Sequence, residues 1–208
     1  ANLAALNNNA VGGLSTGAIQ ALTTDQVSQL TANQIKSLST TQLNAMQPAD
    51  LAKLTTSQVS ALKAEQVEGL NTTQISTLTT TQVGALSGAH LARLSTDAVK
   101  ALSSDQVKAI NVTALRSLSA EQLNALDTAD LAAMGTTQVA ALRADQLQGM
   151  GTTQLNTLTT TQVSAMGAAQ LGSLTTSQVA SLKTESIAVL GSSQVPGLKS
   201  NQLEALST

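Results

Sequence analysis

Residues 55–62 read Thr55-Thr56-Ser57-Gln58-Val59-Ser60-Ala61-Leu62, and this eight-residue pattern recurs along the whole chain. Counted from Ala1, the 208 residues form 26 octads, whose positions we call places 1 to 8. Place 3 is Val, Ile or Leu in all 26 octads, and place 6 is Leu in 21, Met in four and Ile in one. Val112 and Val189 are the two aliphatic residues of these types outside places 3 and 6. Such self-similarity predicts a repeat architecture.

The apolar residues alternate at spacings of three and five, which excludes one long helix. Eight residues sweep about 800° in an α-helix, so the apolar pair would drift around the helix by about 80° in each octad. In a flat strand, places 3 and 6 would point to opposite faces. The pattern therefore predicts one short helix in each octad, about six residues long, interrupted once per repeat.

The polar residues give these helices a start and a direction. Place 7 followed by place 2 of the next octad forms the Ser/Thr-x-x-Gln capping box, as in Thr55 to Gln58, with Leu at place 6 and Val at place 3 set for a hydrophobic staple. Seven of the twelve acidic residues lie at place 1 and two more, Asp50 and Asp130, at place 2. All ten basic residues lie at places 4, 5 or 7. Acids near helix starts match the helix dipole, which a strand would not require.

A helix of six residues is too short to be stable alone, so the octads must stack. We predict an all-α solenoid, a right-handed superhelical coil of short capped helices, with places 3 and 6 forming a continuous interior. Small residues at place 5 would let neighbouring backbones approach closely. A β-solenoid remains the alternative, because Thr and Val favour strands.

Some sequence features recur every five octads, which gives a second, longer period of 40 residues. Octads beginning with Ala start at Ala49, Ala89, Ala129 and Ala169. Either five octads complete a whole number of superhelical turns, or 40 residues are the unit that duplicated. We expect a single solenoid over residues 1–208 with this five-octad super-period.

Composition excludes several function classes. The chain has no Cys and no aromatic residue, 11% charged residues and a net charge of −2, which argues against thiolate metal sites, disulfides and nucleic-acid binding. No apolar run reaches the roughly 18 residues of a membrane span. The single histidine, His90, stands in place of Gln at place 2 and is interpreted as a structural substitution. We predict no enzyme activity and no catalytic, cofactor-binding or metal-binding residue.

The surface offers few other candidates. Four basic residues replace the capping hydroxyl at place 7 and are expected to approach the C-terminal carbonyls of the preceding helix: Lys63, Arg143, Lys183 and Lys199. Pro48 suits the first turn of a helix, whereas Pro196 removes a donor near a helix end and predicts a distortion. Runs such as Thr79-Thr80-Thr81 contain one capping hydroxyl, and the other hydroxyls would form a regular surface array.

Two resemblances follow from these motifs. Leu22-Thr23-Thr24-Asp25-Gln26-Val27 and Leu118-Ser119-Ala120-Glu121-Gln122-Leu123 look like the opening of the first helix in the repeats of TAL effectors. The base-reading pair and second helix of that family are absent, so no DNA-binding role carries over. The whole chain resembles the Leu-Thr-Thr-x-Gln-Val-x-Ala-Leu octapeptide arrays of large bacterial secreted or cell-surface, adhesin-like proteins. That resemblance implies an extracellular structural role.

The leading hypothesis is therefore a non-catalytic rod, filament or stalk of a bacterial extracellular or surface protein. Both terminal octads keep the apolar pair, which predicts self-association with copies of the chain or continuation in a longer array. The alternatives are a solenoid that binds a protein or peptide, and a threonine lattice that binds ice or carries glycans.

Overall fold

The computed structural model describes residues 3–206 and is entirely helical within that range, so the β-solenoid alternative is wrong. Each octad contributes one helix of three to six residues. Two are 3-10 helices, Leu3–Ala5 and Val195–Gly197. The α-helices are α1 (Asn8–Gly12), α2 (Thr16–Gln20), α3 (Thr24–Ser28), α4 (Ala32–Ser37), α5 (Thr40–Ala45), α6 (Pro48–Leu51), α7 (Thr56–Ser60), α8 (Ala64–Glu68), α9 (Thr72–Thr77), α10 (Thr80–Gly84), α11 (Gly88–Leu91), α12 (Thr96–Lys100), α13 (Ser104–Ala109), α14 (Val112–Leu115), α15 (Ala120–Ala125), α16 (Thr128–Ala133), α17 (Thr136–Ala141), α18 (Ala144–Gly149), α19 (Thr152–Leu155), α20 (Thr160–Ser164), α21 (Ala168–Ser173), α22 (Thr176–Ala180), α23 (Thr184–Ala188) and α24 (Ser200–Ala205).

Each α-helix begins after an extended residue at place 7, as the capping pattern predicts. Thr55 has φ −69° and ψ 160°, and its Oγ1 accepts the backbone N–H of Gln58 at 3.2 Å. The Thr55 N–H donates to Oε1 of Gln58 at 2.6 Å. This reciprocal pair satisfies two donors that the helix start leaves free. The pair recurs at most helix starts, and an extended place-7 residue interrupts the chain before every α-helix even where the pair is missing, as at Gln47 and Asp127. No helix therefore grows long enough to rotate its apolar face away from the interior.

The helices wind into a coil whose turn takes between three and four octads. Helices three steps apart are in contact along the chain, for example α10 with α13 and α13 with α16. Side-chain hydrogen bonds join residues 28 and 31 positions apart. Five octads therefore span more than one turn and less than two. The whole-turn explanation for the 40-residue period does not fit this geometry, and duplication remains our interpretation.

Places 3 and 6 form one continuous aliphatic core, as predicted. Val59 is 1% exposed and Leu62 is 6% exposed; place 3 is buried from Leu3 to Val179, and place 6 from Leu30 to Leu174. The two aliphatic residues outside these places, Val112 and Val189, lie at the surface with exposures of 38% and 37%. The interior is only one Val-sized and one Leu-sized side chain deep per octad, and a chain without aromatic residues fills it.

Small residues bring successive turns close together where the octad pattern predicts it. A Cβ built on Gly149, at place 5, would overlap the Cβ of Ala120 on the preceding turn. A Cβ on Gly69, also at place 5, would lie 3.0 Å from the Cβ of Thr40. Both pairs are 29 residues apart, so the contact belongs to the stacking of turns.

The two prolines behave as their places predict. Pro48 is the first residue of α6, where its missing N–H is not needed. Pro196 lies in the 3-10 helix Val195–Gly197, where an α-helix stands in the octads on either side. Only Pro196 therefore changes the local helix type.

Replacement of Gly149 by Ala tests the close approach of turns. The added methyl group overlaps Ala120, so we expect Gly149→Ala to lower the free energy of unfolding by about 1–3 kcal/mol, measured by urea denaturation. Gly17→Ala is the matched control, because the nearest atom to a Cβ there is Oγ of Ser15 at 3.9 Å. Gly17→Ala should stabilise its helix by about 0.5–1 kcal/mol. Equal effects at the two positions would contradict the packing described.

Candidate functional site

The most regular polar feature of the molecule is a row of buried glutamines at place 2. Gln occupies this place in 17 of the 26 octads. Gln146 is 0% exposed, Gln34 and Gln74 are each 1% exposed, and Gln66 is 2% exposed. A buried amide needs partners for both its oxygen and its nitrogen. The row therefore identifies where the polar contacts of the interior are concentrated.

Each buried glutamine performs two tasks at once, as Gln146 shows. Its Oε1 accepts the N–H of Arg143, the cap residue of its own helix, at 2.8 Å. Its Nε2 donates to the carbonyls of Leu115 at 3.1 Å and Leu118 at 2.7 Å, both on the preceding turn. One side chain thus starts a helix and holds that helix to the turn before it. We call this arrangement the glutamine clamp.

The clamp recurs with little variation. Its Nε2 atom reaches at least two carbonyls of the preceding turn, and the place-6 carbonyl is always one of them, at 2.5–2.9 Å. The residues that form it are Gln34, Gln42, Gln58, Gln66, Gln74, Gln82, Gln106, Gln122, Gln138, Gln146, Gln162, Gln170, Gln178, Gln194 and Gln202. Gln154 departs from the pattern. The Asn124 side chain accepts the Gly151 N–H and donates to the Gly149 carbonyl. Gln154 keeps one long hydrogen bond, from its Nε2 to the Asn124 carbonyl at 3.4 Å.

Sequence reasoning assigned these glutamines a capping role and missed their contact with the preceding turn. A signal for that contact was present, because Glu never occurs at place 2. Capping requires only an acceptor, which Glu supplies as well as Gln. The preference for Gln over its isostere Glu indicates that the side chain must also donate.

His90 imitates the clamp with an imidazole ring. It is 4% exposed, its Nδ1 accepts the Ser87 N–H at 3.2 Å, and its Nε2 lies 2.9 Å from the Leu62 carbonyl. These partners assign the proton to Nε2, since a carbonyl accepts only. The geometry supports the structural interpretation of His90.

Two acidic residues occupy place 2, where an ionised carboxylate cannot donate the hydrogen bonds that the glutamine amide donates. Asp50 is 3% exposed, and burial raises the pKa of its carboxyl above the ordinary value of 3.8. Asp130 is 5% exposed and accepts a hydrogen bond from Oγ of Ser104 at 2.6 Å. Both lie in the first turn of their helices, as predicted from the dipole.

The exposed polar groups act mainly as caps. Thr79 caps α10 through the Gln82 N–H at 3.2 Å, while Thr80 and Thr81 are exposed, as expected from the three-threonine run. Lys63 and Lys199 have no capping hydroxyl, but their N–H groups still donate to Oε1 of Gln66 and Gln202, each at 2.7 Å.

The side chain of Arg143 reaches a carbonyl, although not on the helix just before it. Its Nη1 donates to the carbonyl of Arg116, 27 residues earlier, and its Nη2 pairs with Asp145 at 2.7 Å. This ion pair lowers the pKa of the exposed Asp145 carboxyl. The predicted contact with the preceding helix is therefore wrong for Arg143, whose carbonyl partner lies on the preceding turn.

Cavities on the coil are shallow. One is an open groove of about 520 Å³ lined by Lys100, Asn124, Asp127 and Gln154 among others. A similar groove of about 350 Å³ lies 80 residues earlier, beside Asn44, Gln47 and Gln74. Both are spaces left between successive turns.

Within residues 3–206, no three His, Cys, Asp or Glu side chains lie close enough together to hold a metal ion. No helix there is long and apolar enough to cross a membrane.

The buried Asp50 gives a pH-dependent test of the clamp position. Asp50→Asn removes a carboxyl whose ionised form is disfavoured by burial and adds an amide donor in its place. Because the pKa of Asp50 is higher in the folded state than in the unfolded state, ionisation of this carboxyl lowers the free energy of unfolding as the pH rises above 3.8. The variant lacks this penalty and should be about 1 kcal/mol more stable than wild type at pH 7. The advantage should shrink at pH 3.

Urea unfolding at both pH values measures this difference. The exposed Asp97, also in a first helical turn, provides the control Asp97→Asn. A gain at pH 7 for Asp97→Asn but not for Asp50→Asn would contradict the interpretation of Asp50.

Comparison with known families agrees with the octad geometry. The family model described as ALTTAQ repeat matches residues 1–32, 43–80, 78–111 and 123–160, which together cover more than half of the chain. The letters Leu-Thr-Thr-x-Gln correspond to place 6 through place 2, where the cap and the clamp lie, as in Leu54 to Gln58. No curated protein matches the chain. The chain belongs to the ALTTAQ repeat family.

Proposed function

We propose that the protein is a non-catalytic structural rod, a stalk or filament segment of a bacterial extracellular or cell-surface protein. The observation that carries this proposal is the use of the interior polar groups. The clamp amides are satisfied by caps and by carbonyls of the preceding turn, so the conserved chemistry of the octad serves stacking. A molecule built from turns stacked in this way is extended and stiff.

The periodic surface supports the same proposal. Variation between octads falls on exposed places such as 1 and 4, and the grooves are open gaps between turns. The resemblance to secreted octapeptide arrays adds the extracellular setting. Exposed threonines such as Thr80 and Thr81 give the rod a hydrophilic outside without charge.

Self-association through an apolar end of the coil forms part of this proposal. In the last described turn, Val195 and Leu203 are 44% and 45% exposed, whereas the equivalent place-3 residue Val179 is 0% exposed. Contact with another turn of octads would bury this face. We propose that copies of the chain, or further octads, add there.

Small-angle X-ray scattering over a concentration series tests the rod. Stacked helices lie about 8–10 Å apart, so about seven turns give a particle roughly 60–80 Å long, compared with about 45 Å for a compact globule of this length. The expected result is the longer dimension, which grows further at high concentration. A maximum dimension near 45 Å would contradict the rod, and a constant length at all concentrations would contradict self-association.

Antibody labelling of the producing cells tests the location. An antibody against the purified chain should label intact, unpermeabilised cells or be detected in their medium. A signal that appears only after permeabilisation would contradict the extracellular setting while leaving the rod proposal intact.

A further inference from the structure

The glutamine clamps are unevenly distributed along the coil. We call residues 89–136, the twelfth to seventeenth octads, the middle seam. Place 2 of the middle seam is Gln in two of six octads, and the other four residues are His90, Ala98, Ala114 and Asp130. In residues 33–88 it is Gln in six of seven octads, and in residues 137–208 in eight of nine. Because Gln154 departs from the pattern and His90 reaches one carbonyl of the preceding turn, the clamp is complete in six of seven and seven of nine octads on the two sides, but in only two of six octads of the middle seam.

The alanines leave carbonyls in the interior without a clamp donor. Ala98 and Ala114 are 3% and 1% exposed, so they occupy the buried clamp position with no polar atom. In the repeat register, a glutamine at position 98 would reach the carbonyl of Leu70, which receives no side-chain donor from residues 3–206. At position 114 the loss is partly offset, because Nδ2 of Asn111 donates to the Leu86 carbonyl at 3.1 Å.

Exposed side-chain contacts replace the buried ones in this region. Arg93 and Glu68 form an ion pair of 3.2 Å between turns, with side chains 53% and 50% exposed. Nη1 of Arg116 donates to the Ala141 carbonyl at 2.9 Å, also at the surface. Exposed pairs of this kind compete with water and stabilise less than buried hydrogen bonds, whose loss leaves carbonyls unpaired.

We propose that the middle seam is a built-in hinge, the place where successive turns of the coil separate first. Stability in a stacked repeat is a sum of interactions between neighbours, so a stretch with fewer clamp hydrogen bonds opens locally while the flanking turns stay closed. The hinge divides the coil into two stiffly clamped segments. This inference rests on the clamp geometry and does not depend on the proposed extracellular role.

Hydrogen exchange of the full chain, read by mass spectrometry, tests the hinge. Peptides within residues 89–136 should exchange faster than peptides within residues 137–178. The double variant Ala98→Gln, Ala114→Gln adds the missing donors and should slow exchange in the middle seam by about tenfold. Because the change adds contacts, it should not prevent folding.

The matched control removes clamps at the same spacing elsewhere. Gln42→Ala, Gln58→Ala, also 16 residues apart, removes donors to carbonyls of residues 12–30 and should create a second fast-exchanging stretch around residues 41–64 while leaving the middle seam unchanged. Alanine is a good helix former, so the effect reports on the contact between turns. Exchange in the middle seam as slow as in residues 137–178, or exchange unaffected by the added glutamines, would overturn the proposal.

Discussion

The structure depends on one side-chain amide that serves two backbones. The glutamine at place 2 accepts the N–H of its own helix cap and donates to the carbonyls of the turn before it, as Gln146 does between Arg143 and Leu118. A six-residue helix is unstable alone, and an unpaired place-6 carbonyl in the interior is costly. The amide removes both difficulties in the same place. Helix formation and stacking of turns therefore occur together.

The unusual composition follows from this constraint. Each turn must repeat the geometry of the turn below, so the interior accommodates one residue such as Val59 and one such as Leu62 in every octad. Where turns approach most closely, as at Gly149 and Ala120, even a methyl group is too large. Bulky aromatic side chains would separate neighbouring turns and break the bonds of the clamp. A narrow aliphatic core is the consequence.

Much of the fold could be predicted from the octad pattern alone. Spacings of three and five exclude a long helix, and capping boxes such as Thr55 to Gln58 mark most helix starts, which the structure confirms. The number of octads in a turn could not be predicted, because it depends on contacts between residues 28 and 31 positions apart that no local motif encodes. The donor role of Gln was likewise missed, because capping already explained the residue. The absence of Glu from place 2 was the overlooked evidence.

The most direct test compares the same isosteric change at two glutamines. Gln146→Glu keeps the capping oxygen but replaces the donor with an oxygen that faces two carbonyls, so urea unfolding at pH 7 should show a loss of about 2–4 kcal/mol. Gln26→Glu is the comparison, since Oε1 of Gln26 accepts the Thr23 N–H at 2.9 Å but its Nε2 donates to no carbonyl of another turn within residues 3–206. Its stability should change by less than about 1 kcal/mol. Similar losses at both positions would show that the glutamines act as caps alone, contrary to the clamp.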